Sequence, residues 1–208
     1  MAIIEFAFFQ IKPDAETVKR ADQSVIPGFA EDLKAGGALN GLRGWIESED
    51  GRDVTSEFRE LLVVEWPSVA AFQEFIKSAA YAKFQGVFKP LVAGPPALKL
   101  VEAGDVSNYF SADPVLEILE IRTRNTLDDV QDVLDKIRSV IGKNANHKAV
   151  YGSSLNLDRK EILIARLFTS QDELSTEAAG ESRRELLATI GQLAEVTQLV
   201  VKVERLSI

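Results

Sequence analysis

Apolar residues along this 208-residue chain switch between two spacings, and the switches mark its elements. Runs of roughly four to eight β-branched or aromatic residues predict strands, and apolar positions three and four apart predict helices. A strand is expected over Ile3 to Ile11. A helical pattern follows from Ala15 to about Lys34, with Val18, Ala21, Val25, Phe29 and Leu33 on one side. Pro27 lacks an amide hydrogen and crowds the preceding turn, so a kink or split belongs there. Gly36-Gly37 supplies a stop. Leu42 to Ser48 predicts a second strand, Glu49 to Arg52 a turn, and Glu60 to Trp66 a third strand. Ser68 is placed to cap a helix in which Phe72, Phe75, Ile76 and Ala79 share a face. After Ala93-Gly94-Pro95-Pro96 comes a fourth strand, Ala97 to Glu102.

The second half reads in the same order. Val115 to Arg122 predicts a strand, and Thr126 a cap for a helix with Asp128 and Asp129 in its first turn. Leu127, Val130, Leu134, Ile137 and Ile141 form its stripe. Strands over Ala149 to Leu155 and Glu161 to Phe168 flank a turn at Asn156-Leu157-Asp158-Arg159-Lys160. A helical region from Ser170 to about Glu195 is interrupted at Gly180, with Leu186, Ile190 and Leu193 as its clearer stripe. Leu199 to Arg205 closes the chain as a strand.

The pattern β-α-β-β-α-β therefore occurs twice, a tandem ferredoxin-like arrangement of α+β class. Phe58–Phe72 and Lys160–Leu174 are one strand-to-helix corner repeated 102 residues apart: Trp66 matches Phe168, Ser68 matches Ser170, and Phe72 matches Leu174. Less securely aligned are Trp45 with Tyr151 and Leu98–Glu102 with Val201–Arg205. The expected modules are residues 1–104 and 115–208, joined by a polar linker, 105–114. Each module covers one sheet face with helices and leaves the other bare. The third strand, Glu60 to Trp66, is apolar at consecutive positions, as expected of a strand covered on both faces. Two such sheets packed face to face make a closed barrel with helices outside.

That arrangement resembles the dimeric α+β barrel superfamily, in particular its antibiotic-biosynthesis-monooxygenase type, here as two modules in one chain. The stretch LLVVEWPSVAAFQEFIKSAAYAKF, Leu61 to Phe84, carries the resemblance. Glu65-Trp66, Ser78 and Tyr81 stand where that family has a hydrophobic strand ending in a Glu-Trp-like pair, then a helix Ser followed closely by Tyr or His. The family's frequent helix His would fall near Phe75 and is missing, and the second half keeps only the outline. The resemblance implies a cavity between the sheets for a small, often aromatic or polyketide-like molecule. It spans cofactor-independent oxygenases, cyclases, isomerases, haem-handling enzymes and proteins with no known activity, among which fold does not choose.

Composition narrows the partners. The chain is 46% hydrophobic and 27% charged, ordinary globular values. A net charge of −8 and a pI near 4.9 argue against a nucleic-acid partner, which needs a basic face. No apolar run approaches the roughly 20 residues that span a bilayer, so no membrane partner is expected. Nothing at the N-terminus reads as a signal peptide. With no cysteine and no N-x-S/T sequon, a cytoplasmic setting is the expectation. Absence of cysteine also removes thiolate nucleophiles and thiolate metal centres. Because pairing is internal, the chain is expected as a monomer or a helix-mediated homodimer.

The catalytic candidates are Tyr81, Tyr151 and His147, and the candidates for substrate contact are Trp45, Trp66, Phe75 and Phe84. Aromatic rings stack on aromatic substrates and tyrosine hydroxyls donate hydrogen bonds, whereas ordinary core packing accounts for most aromatics at strand ends. Tyr81 has the best individual case because it lies in the motif. His147 is the only histidine; it is either a general base or axial haem ligand, or a solvated residue of its polar loop, and no orienting partner is evident for it. A lone histidine makes a zinc site improbable. Glu47 and Glu65 lie on strands; if they turn inward, burial would raise their carboxyls toward general-base range, but exposed strand-edge positions are the safer expectation. No phosphate loop, G-x-G-x-x-G or nucleophile elbow occurs. The expectation is a small-molecule enzyme that works without a bound cofactor or metal. It would be a monooxygenase or cyclase acting on an apolar, partly aromatic substrate in the barrel. The alternative is a non-catalytic ligand-binding or stress-related barrel.

Overall fold

The structure is a computed structural model that describes residues 2–102, 109–110, 114–124, 127–141, 148–156 and 161–208. The expected cap at Thr126, most of the 105–114 linker, residues 157–160 of the second turn, and His147 lie outside them. In the first half, β1 (Ile3–Gln10) leads into α1 (Ala15–Arg20) and α2 (Ile26–Ala35). Then come β2 (Asn40–Glu49), the two-residue β3 (Arg52–Asp53), β4 (Arg59–Trp66), α3 (Val69–Ile76), α4 (Ala79–Phe88) and β5 (Ala97–Glu102). The second half runs β6 (Val115–Thr123), α5 (Leu127–Ile141), β7 (Lys148–Ser153), β8 (Glu161–Phe168), α6 (Gln171–Ala178), α7 (Glu181–Gly191) and β9 (Ala194–Arg205).

All of these strands pair antiparallel in one sheet, ordered β5-β1-β4-β2-β9-β6-β8-β7, with β3 added to β2. Within each half the order is fourth-first-third-second, as a ferredoxin-like module requires. The corner register repeats too: Ile3 lies opposite Trp66, and Val115 opposite Phe168. β2 and β9 join the halves. At the opposite seam Val101 bridges to Ser154, and the Asn156 side chain accepts from Leu100 N–H and donates to the Leu98 carbonyl, each at 2.8 Å. The result is a nearly closed α+β barrel with its helices outside.

Alternation along the strands decides what enters the barrel. Ile4 and Phe6 of β1, Leu61 and Val63 of β4, Leu116 and Ile118 of β6, and Leu163 and Ala165 of β8 all point inward and are buried. Tyr109 and Phe110, from the linker read as polar, join this cluster and meet edge to face at 5.3 Å. Lys99 from β5 reaches across to Glu120 at 2.8 Å and Glu161 at 2.7 Å, tying the first half's edge strand to the second half. Where a ligand cavity was expected, the two bare faces meet among the described residues in one buried cluster.

Two helices differ from their expected outlines. The α1–α2 stretch contains a π-turn over Ala21–Val25, where Ile26 N–H reaches back to the Ala21 carbonyl. This extra residue absorbs the bond that Pro27 cannot donate. It also moves the buried stripe onto Ile26, Phe29, Ala30 and Leu33. The helix expected to carry Phe72 through Ala79 breaks at Lys77. Ser78 is extended there (φ −73°, ψ 157°), and its hydroxyl accepts from Tyr81 N–H at 3.1 Å, starting α4 in a new direction.

Glycine permits the central seam. At Gly44 a Cβ atom would lie 2.0 Å from the Lys202 carbonyl oxygen, so β2 and β9 approach this closely only without a side chain. Gly44→Ala is expected to lower the free energy of unfolding by about 1–3 kcal/mol, read from the urea midpoint. Gly86→Ala, on α4 where a Cβ meets nothing within 4 Å, is expected to leave stability unchanged or raise it by about 0.5–1 kcal/mol. Equal effects at the two positions would contradict this account of the seam.

Candidate active site

The residues of β1 that face away from the barrel are Ile3, Glu5, Ala7 and Phe9, and they form the floor of a layer roofed by α2, α3 and α4. Between floor and roof is a cavity of about 520 Å³. Ala7, Phe9 and Leu62 line it from the sheet, Ile26, Phe29 and Leu33 from α2, Phe72, Phe75 and Ile76 from α3, and Tyr81, Phe84, Gln85 and Phe88 from α4. Lys89 and the exposed stretch Ala93–Pro96 border it at the surface. The rings form a continuous wall. Phe29 stacks on Phe84 with centroids 3.6 Å apart, Phe75 meets Tyr81 at 5.7 Å, and Phe9 meets Phe88 edge to face at 5.0 Å.

Glu5 is the one carboxylate among the residues lining this cavity. Its outward parity on β1 leaves it no alternative position. Val64 is its cross-strand neighbour on β4 and Leu100 on β5. Among the described residues no cation pairs with it, and Trp66 Nε1 donates to it at 2.9 Å within the buried layer. Removal from water disfavours the carboxylate and pushes the Glu5 carboxyl up from 4.5 to about 7, against the smaller opposing effect of the indole hydrogen bond. The half-buried Tyr81 shares a hydrogen bond with Gln85, and its hydroxyl is pushed above its ordinary value, chiefly by burial and in part by the charge of Glu5. A carboxyl that titrates near neutrality, a phenol and an aromatic slot therefore share one space. Together they can accept a proton from a bound apolar molecule and donate a hydrogen bond to it.

Of the expected site residues, Tyr81, Phe75 and Phe84 line this cavity, and Trp66, fully buried behind it, holds Glu5. Trp45 packs against the same core from β2 but is not among the lining residues. Tyr151 lies in the other half, against the cluster of Leu119, Ile121 and Ile164, so the two tyrosines do not share a site. The two glutamates considered from sequence are elsewhere: Glu65 has the inward parity and accepts from Asn40 Nδ2 at 2.6 Å, and Glu47 does not line the cavity. Glu5 itself was not anticipated. Its signal was available, a single acid at an outward position of a strand that is apolar on both faces.

A second buried acid lies at the far end of the same layer. Glu60, opposite Phe9 and Trp45, is pushed up to about 8 by desolvation, opposed by Arg43 at 3.9 Å. Arg43 also pairs with Asp22 of the π-turn and with Glu204.

No family model and no curated protein matches this sequence. Solved structures do match in fold. A candidate monooxygenase of Fusobacterium nucleatum superposes with a TM-score of 0.68 at 11% identity, covering 99% of this chain and 93% of that one. An anthrone oxidase-like protein gives 0.63 at 11%, covering 100% and 94%. A haem-binding protein of Thermus thermophilus gives 0.55 at 11%, covering 97% and 90%. At these identities the likeness establishes the dimeric α+β barrel fold. No imidazole, thiolate or thioether is among the lining residues of this cavity; of the side-chain types that ligate haem iron, the lining holds the phenol of Tyr81.

Because Glu5 binds its proton more tightly folded than unfolded, stability is greatest below pH 4.5 with respect to this group and falls as pH rises through 7. The loss is on the order of 3 kcal/mol. Unfolding free energies measured between pH 5 and 8 are expected to decline for the parent, and more gently for Glu5→Gln; identical slopes would contradict the assignment. Glu60 contributes a decline of the same sign reaching to about pH 8.

Proposed function

We propose that the chain is a small-molecule enzyme of cofactor-independent oxygenase type, with its substrate between sheet and helices in the first half. The observation that carries this reading is Glu5, a carboxyl near neutrality in a largely apolar, aromatic cavity. A general base works best with a pKa close to the operating pH. The lining selects an apolar, partly aromatic molecule, and the carboxylate selects one with an acidic C–H beside a ring and a carbonyl. The fold-level likeness to oxygenase-type barrels raises the prior and is analogy only.

In this reading the Glu5 carboxylate takes the C–H proton, and the electron pair delocalises onto the carbonyl oxygen, to which Tyr81 donates as charge develops. The carbanion then reduces O₂, forming a C–O bond and a peroxide. The peroxide takes the proton back from Glu5 and loses water as the second C–H breaks. One methylene and one O₂ thus become one carbonyl and one water. Stacking by Phe29, Phe75 and Phe84 orients the rings and excludes bulk water.

Anthrone, with an acidic methylene between two rings and a carbonyl, is the test substrate. Conversion to anthraquinone with label from ¹⁸O₂ is expected, and kcat/KM should rise with pH and level off above about 7. Glu5→Gln is expected to lower the rate by a factor of roughly 10²–10⁴. Trp66→Phe removes the hydrogen bond that favours the charged carboxyl, so its inflection should move to higher pH. Binding of anthrone without turnover would instead identify a non-catalytic ligand-binding barrel. An unchanged rate in Glu5→Gln would exclude Glu5 as the base.

A further inference from the structure

The repeated register makes the two halves comparable residue by residue. Glu5 lies opposite Val64 on paired strands, and Glu117 lies opposite Arg166 at the same step from the corner. Ser68 and Ser170 cap the first roof helices, and Ser78 and Gly180 precede the second, both 102 residues apart. By the same offset Val64, Phe75 and Tyr81 correspond to Arg166, Glu177 and Arg183. Thus Glu-Val-Phe-Tyr in the first half becomes Glu-Arg-Glu-Arg in the second.

Those four side chains form a connected network where the first half has its cavity. Fully buried Glu117 accepts from Arg166 Nε at 3.0 Å and Nη2 at 2.7 Å, from Arg183 through both terminal nitrogens, and from Gln198 Nε2 at 2.6 Å. Arg166 Nη1 also reaches Glu177 at 3.2 Å. The guanidinium groups fill the space beside the carboxylate and neutralise it. An open groove of about 460 Å³ remains outside, lined by Arg183, Leu187, Asp50, Arg124 and Glu195 among others, and Glu117 is not among its lining residues.

We infer that the ligand site is retained in the first half only, that the Glu117–Arg166–Glu177–Arg183 network fills its counterpart, and that the chain binds one apolar aromatic ligand. The inference rests on the functional reading above and adds to it the number of sites and the role of the second half as scaffold. A ligand entering the second half would have to displace two arginines from a buried carboxylate and leave charges unpaired, which a neutral aromatic molecule cannot compensate.

Titration with 1,8-dihydroxyanthraquinone, followed by absorbance and by native mass spectrometry of the full chain, tests this. One equivalent per chain is expected for the parent, none for Ala7→Phe, which fills the first cavity, and one for Leu187→Trp, which obstructs the second groove. Two equivalents in the parent would overturn the single-site inference while leaving the first cavity a binding site, and one retained in Ala7→Phe would place the ligand elsewhere and overturn it too. Loss of binding in Leu187→Trp would place the ligand in the second half and overturn it as well. No binding by the parent would overturn this inference and the functional reading together.

Discussion

A sheet covered by helices on one face must bury its other face, and in this chain the two bare faces bury each other. Ile4 and Phe6 of the first half meet Leu116, Ile118 and Leu163 of the second in one cluster. That packing sets the strand parity everywhere else. With Ile4 and Phe6 turned inward, Glu5 can only face the helices. The inner faces share one buried cluster, and the cavity lies where α2, α3 and α4 arch over the outer face. One strand thus contributes both to the barrel's cohesion and to the site's acid.

The halves share this frame and treat their outer layer in opposite ways. Beneath α6 and α7 the buried carboxylate of Glu117 is neutralised by arginines. Beneath α3 and α4 the carboxyl of Glu5 has an indole and an empty slot for neighbours. Leaving an acid there costs stability, and such local cost is characteristic of sites held for chemistry rather than for cohesion. A tandem chain can carry it because the two copies vary independently, which two identical subunits cannot do.

Much of the fold was legible in the sequence. The strand-to-helix corners at Trp66 and Phe168, with their serine caps, revealed the repeat because caps and consecutive apolar strands are local properties. What was not legible depends on distant volumes. Whether two inner faces interdigitate or leave a cavity is decided by side chains from both halves at once, and the cavity that Glu5 lines lies on the helix-covered side of the sheet, not between the sheets where one was expected. The break at Ser78 was hidden because Phe72, Phe75, Ile76 and Ala79 keep a helical spacing across it. Tyr81, Phe75 and Phe84 were found through the motif that surrounds them. Trp45 and Tyr151 were chosen as aromatics on strands, and their outward parity in two separate halves sends them elsewhere. Glu5 was overlooked because one acid among Ile, Phe and Ala looks like a strand's solvent face until helices are found to cover it.

The most direct test of the central claim is the crystal structure of the chain soaked with 1,8-dihydroxyanthraquinone. The account predicts a ring system in the cavity lying against Phe75 and the stacked Phe29–Phe84 pair, with a polar edge toward Glu5 and Tyr81. Ordered ligand inside the barrel, or under α6 and α7 with the arginines displaced, would contradict it.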